Sequence, residues 1–170
     1  MTDKQITAKE AIDNFHKAAK EFAEAERKKW RVMTMKIKLD EGAFLPTRAH
    51  STDAGMDLYA MESQIVPAKE SAIFDTGVHI ELPTGTVGML KSKSGLNVKY
   101  GITSEGVIDV SYSGSIVAKL YNNSGKDYHV NKGDKITQLV IMPILTPDIE
   151  LVDELEVKGR GNNGFGSSGR

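Results

Sequence analysis

The chain lacks cysteine, which excludes disulfides, thiolate metal sites and thiol nucleophiles. It also lacks a dominant charge, since 22 Lys and Arg against 23 Asp and Glu leave a formal net charge of -1. That balance carries no electrostatic footprint for duplex nucleic acid or an anionic membrane, so any affinity for a nucleotide has to be local. No apolar run approaches the ~20 residues that a membrane-spanning helix needs. The start Met1-Thr2-Asp3-Lys4-Gln5 is polar where a signal peptide would be apolar. Together these absences predict a soluble, cytoplasmic protein. Its 170 residues suit one domain with a real core plus an appendage.

Two periodicities divide the chain. From about Thr7 to Trp30 the pattern is helical: Thr7 and Glu10 form a capping box, and Ile12, Phe15, Ala19, Phe22 and Ala23 recur on one face, with lysines and glutamates opposite. An isolated amphipathic helix is marginal in water, so this stripe is expected to dock, on the body of the protein or on a partner. From Met33 the period becomes two, with Met35, Ile37 and Leu39 alternating against Thr34, Lys36 and Lys38. Similar strand signals occupy 71–74, 78–82, 87–91, 115–121 and 135–141, separated by turn clusters such as Pro83-Thr84-Gly85 and Asn131-Lys132-Gly133-Asp134. Many short strands without intervening helices predict an all-β body, a β-sandwich or jelly roll, with an added N-terminal amphipathic helix.

The end of the chain, Arg160-Gly161-Asn162-Asn163-Gly164-Phe165-Gly166-Ser167-Ser168-Gly169-Arg170, combines glycine freedom, hydroxyls, guanidiniums and one ring. Such a segment can close over a polyphosphate, with amides and hydroxyls donating to oxygens, an arginine forking a phosphate and the ring stacking on a base. Taken alone, it reads more simply as a plain Ser/Gly-rich terminus. It is not a P-loop, because Ser167 stands where that motif needs lysine. Upstream lie Asp53-Ala54-Gly55-Met56-Asp57-Leu58-Tyr59, then Lys93-Ser94-Gly95-Leu96, then Gly106-Val107-Ile108-Asp109 with Tyr112 and Gly114, then Gly133-Asp134-Lys135-Ile136-Thr137-Gln138-Leu139. Taken singly, Asp109 also suits a turn after a buried strand, Tyr112 cross-strand packing, and Gln138 a strand position satisfied by backbone.

In this order, and with the tail, these motifs resemble the trimeric dUTP pyrophosphatases (dUTPases) over roughly residues 33–170. The resemblance implies a jelly roll whose active sites form between the subunits of a homotrimer, and hydrolysis of dUTP to dUMP and pyrophosphate with Mg²⁺. It divides the chain into an N-terminal helical extension (1–32), a β domain (33–158) and a tail (159–170) closing over the site. It implies that Asp109 activates the attacking water and that Asp57 contacts Mg²⁺ through water, while Asp53 is a loop or cap residue. Lys93, Ser94, Gly95 and Gln138 would grip the phosphates. The hairpin around Gly106 and Ile108 would read uracil through its backbone, and the Tyr112 ring would pack beneath the deoxyribose, so that a 2′-hydroxyl would clash. Arg160, Gly166, Ser167 and Ser168 would meet the phosphates from the tail while Phe165 stacks on uracil.

The chain departs from the family pattern at several positions. Lys93 replaces the usual arginine and loses its planar fork; Val110-Ser111 precedes Tyr112, and Thr103 stands where asparagine is common. A dCTP deaminase, which shares the fold, is disfavoured because Lys119 occupies the place of its required glutamate and Asn97-Val98 follow where it carries arginine. A further alternative is a regulatory protein that uses the scaffold to sequester a protein partner, reached through the N-terminal helix.

Overall fold

The computed structural model describes residues 8–31, 34–156 and 159. The first helix, α1 (Ala8–Arg31), covers the segment whose apolar spacing is helical, and Lys17 and Glu21 face each other at 4.0 Å one turn apart on its polar side. Its expected N-cap, Thr7, lies outside the described residues. The stripe is not covered by the body: Ile12, Phe15 and Phe22 are 57%, 71% and 70% exposed. Packing on the chain's own core, one of the two expectations for this stripe, is therefore not what happens. The apolar side chains of the strands pack into two clusters that include no residue of α1.

The body is built from ten strands and one short helix: β1 (Lys36–Leu39), β2 (Gly55–Tyr59), β3 (Gln64–Val66), β4 (Ser71–Asp75), β5 (Val78–Glu81), β6 (Thr86–Lys91), α2 (Ser94–Tyr100), β7 (Ile102–Ile108), β8 (Val117–Asn122), β9 (Tyr128–Val130) and β10 (Lys135–Pro143). The central sheet has the order β2-β10-β6-β7-β8-β4 with antiparallel neighbours throughout, and the pairs β1-β5 and β3-β9 complete the all-β body.

Strand alternation sets the core. β8 reads exposed, buried, exposed, buried along its length, so Ala118 and Leu120 point inward while Lys119 and Tyr121 face out. β10 links two apolar clusters, giving Leu139 to one with Leu58, Val78 and Leu90, and Ile136 to the other with Val66, Phe74 and Ile102. Each such side chain contributes about 1.5–3 kcal/mol by leaving water. Truncating the fully buried Leu139 to alanine would cost about 3 kcal/mol.

One irregularity matters for the site. Against β2, Lys135 pairs with Tyr59 and Gln138 pairs with Asp57, with a register shift between Lys135 and Thr137. In a regular strand, residues three apart point to opposite faces. The bulge absorbs one residue and turns Lys135 and Gln138 to the same face, the one that carries Asp57.

Candidate active site

Asp57 is the centre of a preformed charge cluster. It lies in the middle of β2, only 8% exposed, where β10 joins the sheet. Lys93, at the start of α2, reaches across to its Oδ1 in a short ion pair, and Lys135 Nζ approaches Oδ2 at 2.8 Å. Burial pushes the Asp57 carboxyl up, but hydrogen bonds from Lys135 and Lys93 outweigh it and hold the group below the ordinary carboxylate range. The same bond holds the Lys135 ammonium above its usual range. Two cations around one carboxylate leave a local excess of positive charge in a protein with almost no net charge.

Gln138 is fixed beside this cluster by donating from Nε2 to the Ser92 carbonyl at 3.1 Å. Its amide lies over Gly55, where an added Cβ would fall 2.5 Å from Gln138 Oε1, so the first motif needs glycine there to admit the glutamine of the fourth. Ser94 and Gly95 open α2 directly after Lys93, and Gly95 has nothing within 4 Å of where a Cβ would stand. Packing within the chain therefore gives no reason for that glycine. Asp53 caps its own loop, accepting from the His50 amide at 2.9 Å, as expected of a loop residue.

Among the described residues there is no group of three acidic or histidine side chains that could cage a metal. Both Asp57 oxygens already accept from ammonium groups, so inner-sphere binding would have to displace a lysine. A Mg²⁺ ion that keeps its waters and meets Asp57 through one of them fits this donor set.

The third motif forms a different kind of structure. Ile108 ends β7 with its side chain in the core, and Gly106 lies against Leu90 of β6. Beyond them Asp109 is exposed at a tight turn in which the Tyr112 amide donates to the Asp109 carbonyl at 3.0 Å. The Asp109 carboxylate makes no hydrogen bond or ion pair with the described residues. Tyr112 is 44% exposed, and its hydroxyl donates to the Ser115 carbonyl at 2.8 Å, which folds the ring back over the hairpin. A Cβ on Gly114 would lie 2.5 Å from that hydroxyl, so the ring's seat depends on this glycine.

The two assemblies are far apart within one chain. Gly88 pairs with Ile108 while Lys91 pairs with Glu105, so Asp109 lies at the opposite end of the β6–β7 ladder from Lys93. Asp57 is three strands away from β7 and about four residues along, a separation of roughly 20 Å from strand spacing and rise. Asp57, Lys93, Gln138 and the unforeseen Lys135 are brought together, and Asp109 with Tyr112 are brought together, but one chain does not join the two groups. Arg160, Phe165, Gly166, Ser167 and Ser168 lie outside the described residues. The signal that could have found Lys135 was its place three residues before Gln138 beside a turn, where a bulge is common.

The antiparallel β-body thus carries a cationic cluster around Asp57 and, apart from it, an exposed acidic hairpin at Asp109. The family model for dUTPase matches residues 41–169, and the chain belongs to the dUTPase family. It is 42% identical over 142 residues to the deoxyuridine 5'-triphosphate nucleotidohydrolase of Clostridium acetobutylicum, covering 81% of this chain and 98% of that one. The corresponding protein of Paramecium bursaria Chlorella virus 1 is 45% identical over 133 residues, covering 78% and 94%. Among solved structures, the Staphylococcus bacteriophage 80alpha dUTPase with dUPNHPP superposes with a TM-score of 0.75 at 34% identity, over 81% of this chain and 99% of that one. A variant dUTPase from phage phi11 of S. aureus, in which a structural Mg(II) ion is coordinated, superposes with a TM-score of 0.67 at 33% identity, over 72% and 98%.

Proposed function

We propose that the protein hydrolyses dUTP to dUMP and pyrophosphate. The observation that carries this reading is the pairing of a preformed cationic cluster around Asp57 with an exposed, unpartnered Asp109 on the hairpin that also seats Tyr112. Lys93, Ser94, Gly95 and Gln138 hold the triphosphate, and positioning with charge neutralisation provides most of the rate. Asp109 orients a water and takes its proton as the oxygen attacks the α-phosphorus. The bond to the bridging oxygen breaks and pyrophosphate leaves. Tyr112 lies under the deoxyribose and rejects a 2′-hydroxyl, while the backbone around Gly106 and Ile108 reads uracil. Asp57 would hold a Mg²⁺ ion through water, and the ion would supply neutralisation of phosphate charge. Arg160, Phe165, Gly166, Ser167 and Ser168 close the site and exclude water.

The roughly 20 Å between Asp57 and Asp109 supports a site shared between chains, and we assign a homotrimer. The extended segment after β10 supports the same assignment, because Leu145, Ile149 and Leu151 are 94–98% exposed, a cost in water that a neighbouring subunit would remove. In the cytoplasm, the reaction limits uracil entering DNA and supplies dUMP for dTTP synthesis. The exposed stripe of α1 favours a second role for residues 1–32 as a module that contacts a protein partner, compatible with hydrolysis by 33–158 and its tail. A deaminase is not supported, since Lys119 is exposed with its ammonium 5.0 Å from the Tyr121 ring and supplies no carboxylate.

Purified protein with Mg²⁺ should release pyrophosphate from dUTP and leave dTTP, dCTP and UTP nearly untouched. Orthophosphate as the product, or equal turnover of UTP, would overturn the assignment of Tyr112 and the hairpin.

A further inference from the structure

The return leg of the acidic hairpin is tied to the β4–β5 corner. Ser115 Oγ makes a short bond to Asp75 Oδ1, the Thr76 hydroxyl donates to the Ile116 carbonyl at 2.7 Å, and the Ile116 amide donates to the Val78 carbonyl at 2.8 Å. The last tie before the free tip is His79. On β5, its Nδ1 lies 2.9 Å from the Ser113 carbonyl and its Nε2 lies 2.9 Å from Asp40 Oδ2. Its side chain is only 20% exposed, in a shallow cleft that Lys36, Lys38 and Glu81 also line.

Both partners of the ring can only accept, so both nitrogens must donate, and only the imidazolium carries two N–H groups. A neutral ring would have to turn a lone pair toward either the carbonyl or the carboxylate. We propose that His79 is a positioning residue, whose ring ties Ser113 to Asp40 and thereby holds the hairpin that presents Asp109 and Tyr112. This rests on the reading of that hairpin as the catalytic and sugar-recognising element. Ser113 is the next residue after Tyr112, so a slack carbonyl there loosens the ring that must lie beneath the substrate.

The charges around the ring agree with this role. The Ser113 carbonyl and the Asp40 carboxylate hold the His79 ring protonated above its ordinary range, against the opposing effects of burial and, smaller still, of Lys38. Asp40 is held below the carboxylate range, first by His79 and then by Lys38, whose Nζ lies 3.6 Å away. Lys36 and Glu81 pair with each other at 2.9 Å further along the cleft. Because the folded value is raised, the tie is complete below about 6.5, the ordinary histidine value, and is lost as pH rises through the higher folded value.

The test uses the full-length protein and three readouts across pH 5.5–9: ring nitrogen shifts of His79, amide exchange of residues 110–114, and kcat/KM for dUTP. The ring should titrate above the free-histidine value. As it does, the exchange of the hairpin amides should accelerate beyond the intrinsic pH effect, and kcat/KM should fall by about fivefold, the equivalent of one hydrogen bond. His79→Gln should show the loosened hairpin at every pH and no such fall. Asp40→Asn should behave in the opposite way, because its amide can donate to a neutral Nε2 while Nδ1–H keeps Ser113, so the clamp should persist at high pH. Superimposable pH profiles for wild type and His79→Gln, or a ring that titrates at or below the ordinary value, would overturn the proposal. If the protein does not turn over dUTP, the activity reading fails separately, and ring titration with amide exchange still decides the clamp.

Discussion

The cluster around Asp57 and the hairpin around Asp109 each centre on an aspartate, yet the fold treats the two in opposite ways. Asp57 is buried and has both oxygens satisfied by lysines from two other elements, so its charge is compensated before any ligand arrives. Asp109 is exposed, has no side-chain partner among the described residues and sits on a turn between the paired end of β7 and a return leg tied to the β4–β5 corner. A group that must move a proton has to be left free to meet water, whereas a group that organises phosphate charge gains from being fixed in advance. The difference teaches that this chain fixes one of its two aspartates in advance and leaves the other open to solvent.

The largest way to sharpen the contrast is Asp109→Asn. Its turnover should drop by roughly three orders of magnitude while the melting temperature stays put, because the side chain supports no structure. Steady-state kinetics beside calorimetry would show both. Asp57→Asn should do the reverse in kind, costing about 2 kcal/mol of stability by leaving two ammonium groups without their carboxylate. Its pH signature follows from the depressed folded value: wild type holds this stabilisation above about 3.8 and loses it as pH falls further, and the variant should lack that acid limb in denaturation curves. Gly114→Ala would disturb the hairpin alone. A methyl 2.5 Å from the Tyr112 hydroxyl displaces the ring, and the preference for dUTP over UTP should fall by about tenfold, around 1.4 kcal/mol. The smallest effect is expected for Lys93→Arg, where a planar fork adds a second phosphate contact and should raise kcat/KM by the equivalent of about 1 kcal/mol. A loss there would mean that the pairing with Asp57 is tuned to lysine.

Much of this was legible in the residues, and the exceptions have physical causes. Alternation located β1, β4, β5, β6, β8 and β10 to within a few residues, most plainly in β5, where Val78 and Ile80 are buried and His79 and Glu81 are not. β2 escaped the pattern since its buried run contains Asp57, a charge made tolerable only by lysines distant in sequence. The helix α2 buries no side chain, and Val98 on it is 84% exposed, so no helical stripe announces it. β3 and β9 are three residues each, too short to show a period. Within the site, motif order picked out Asp57, Lys93 and Gln138 as companions, but Lys135 joins them only through a bulge that depends on pairing with β2. His79 was equally silent, because its two partners stand 34 and 39 residues away.

The central claim is that the two halves meet across chains, and subunit mixing tests it most directly. Asp109→Asn and Lys93→Ala proteins, each impaired alone, would be unfolded together, refolded as mixed oligomers and assayed with dUTP. If Asp109 of one chain serves the Asp57 cluster of another, random assortment at equal amounts should restore about a quarter of the sites to wild-type composition. Verified mixed oligomers with no activity beyond the sum of the two parents would contradict the account.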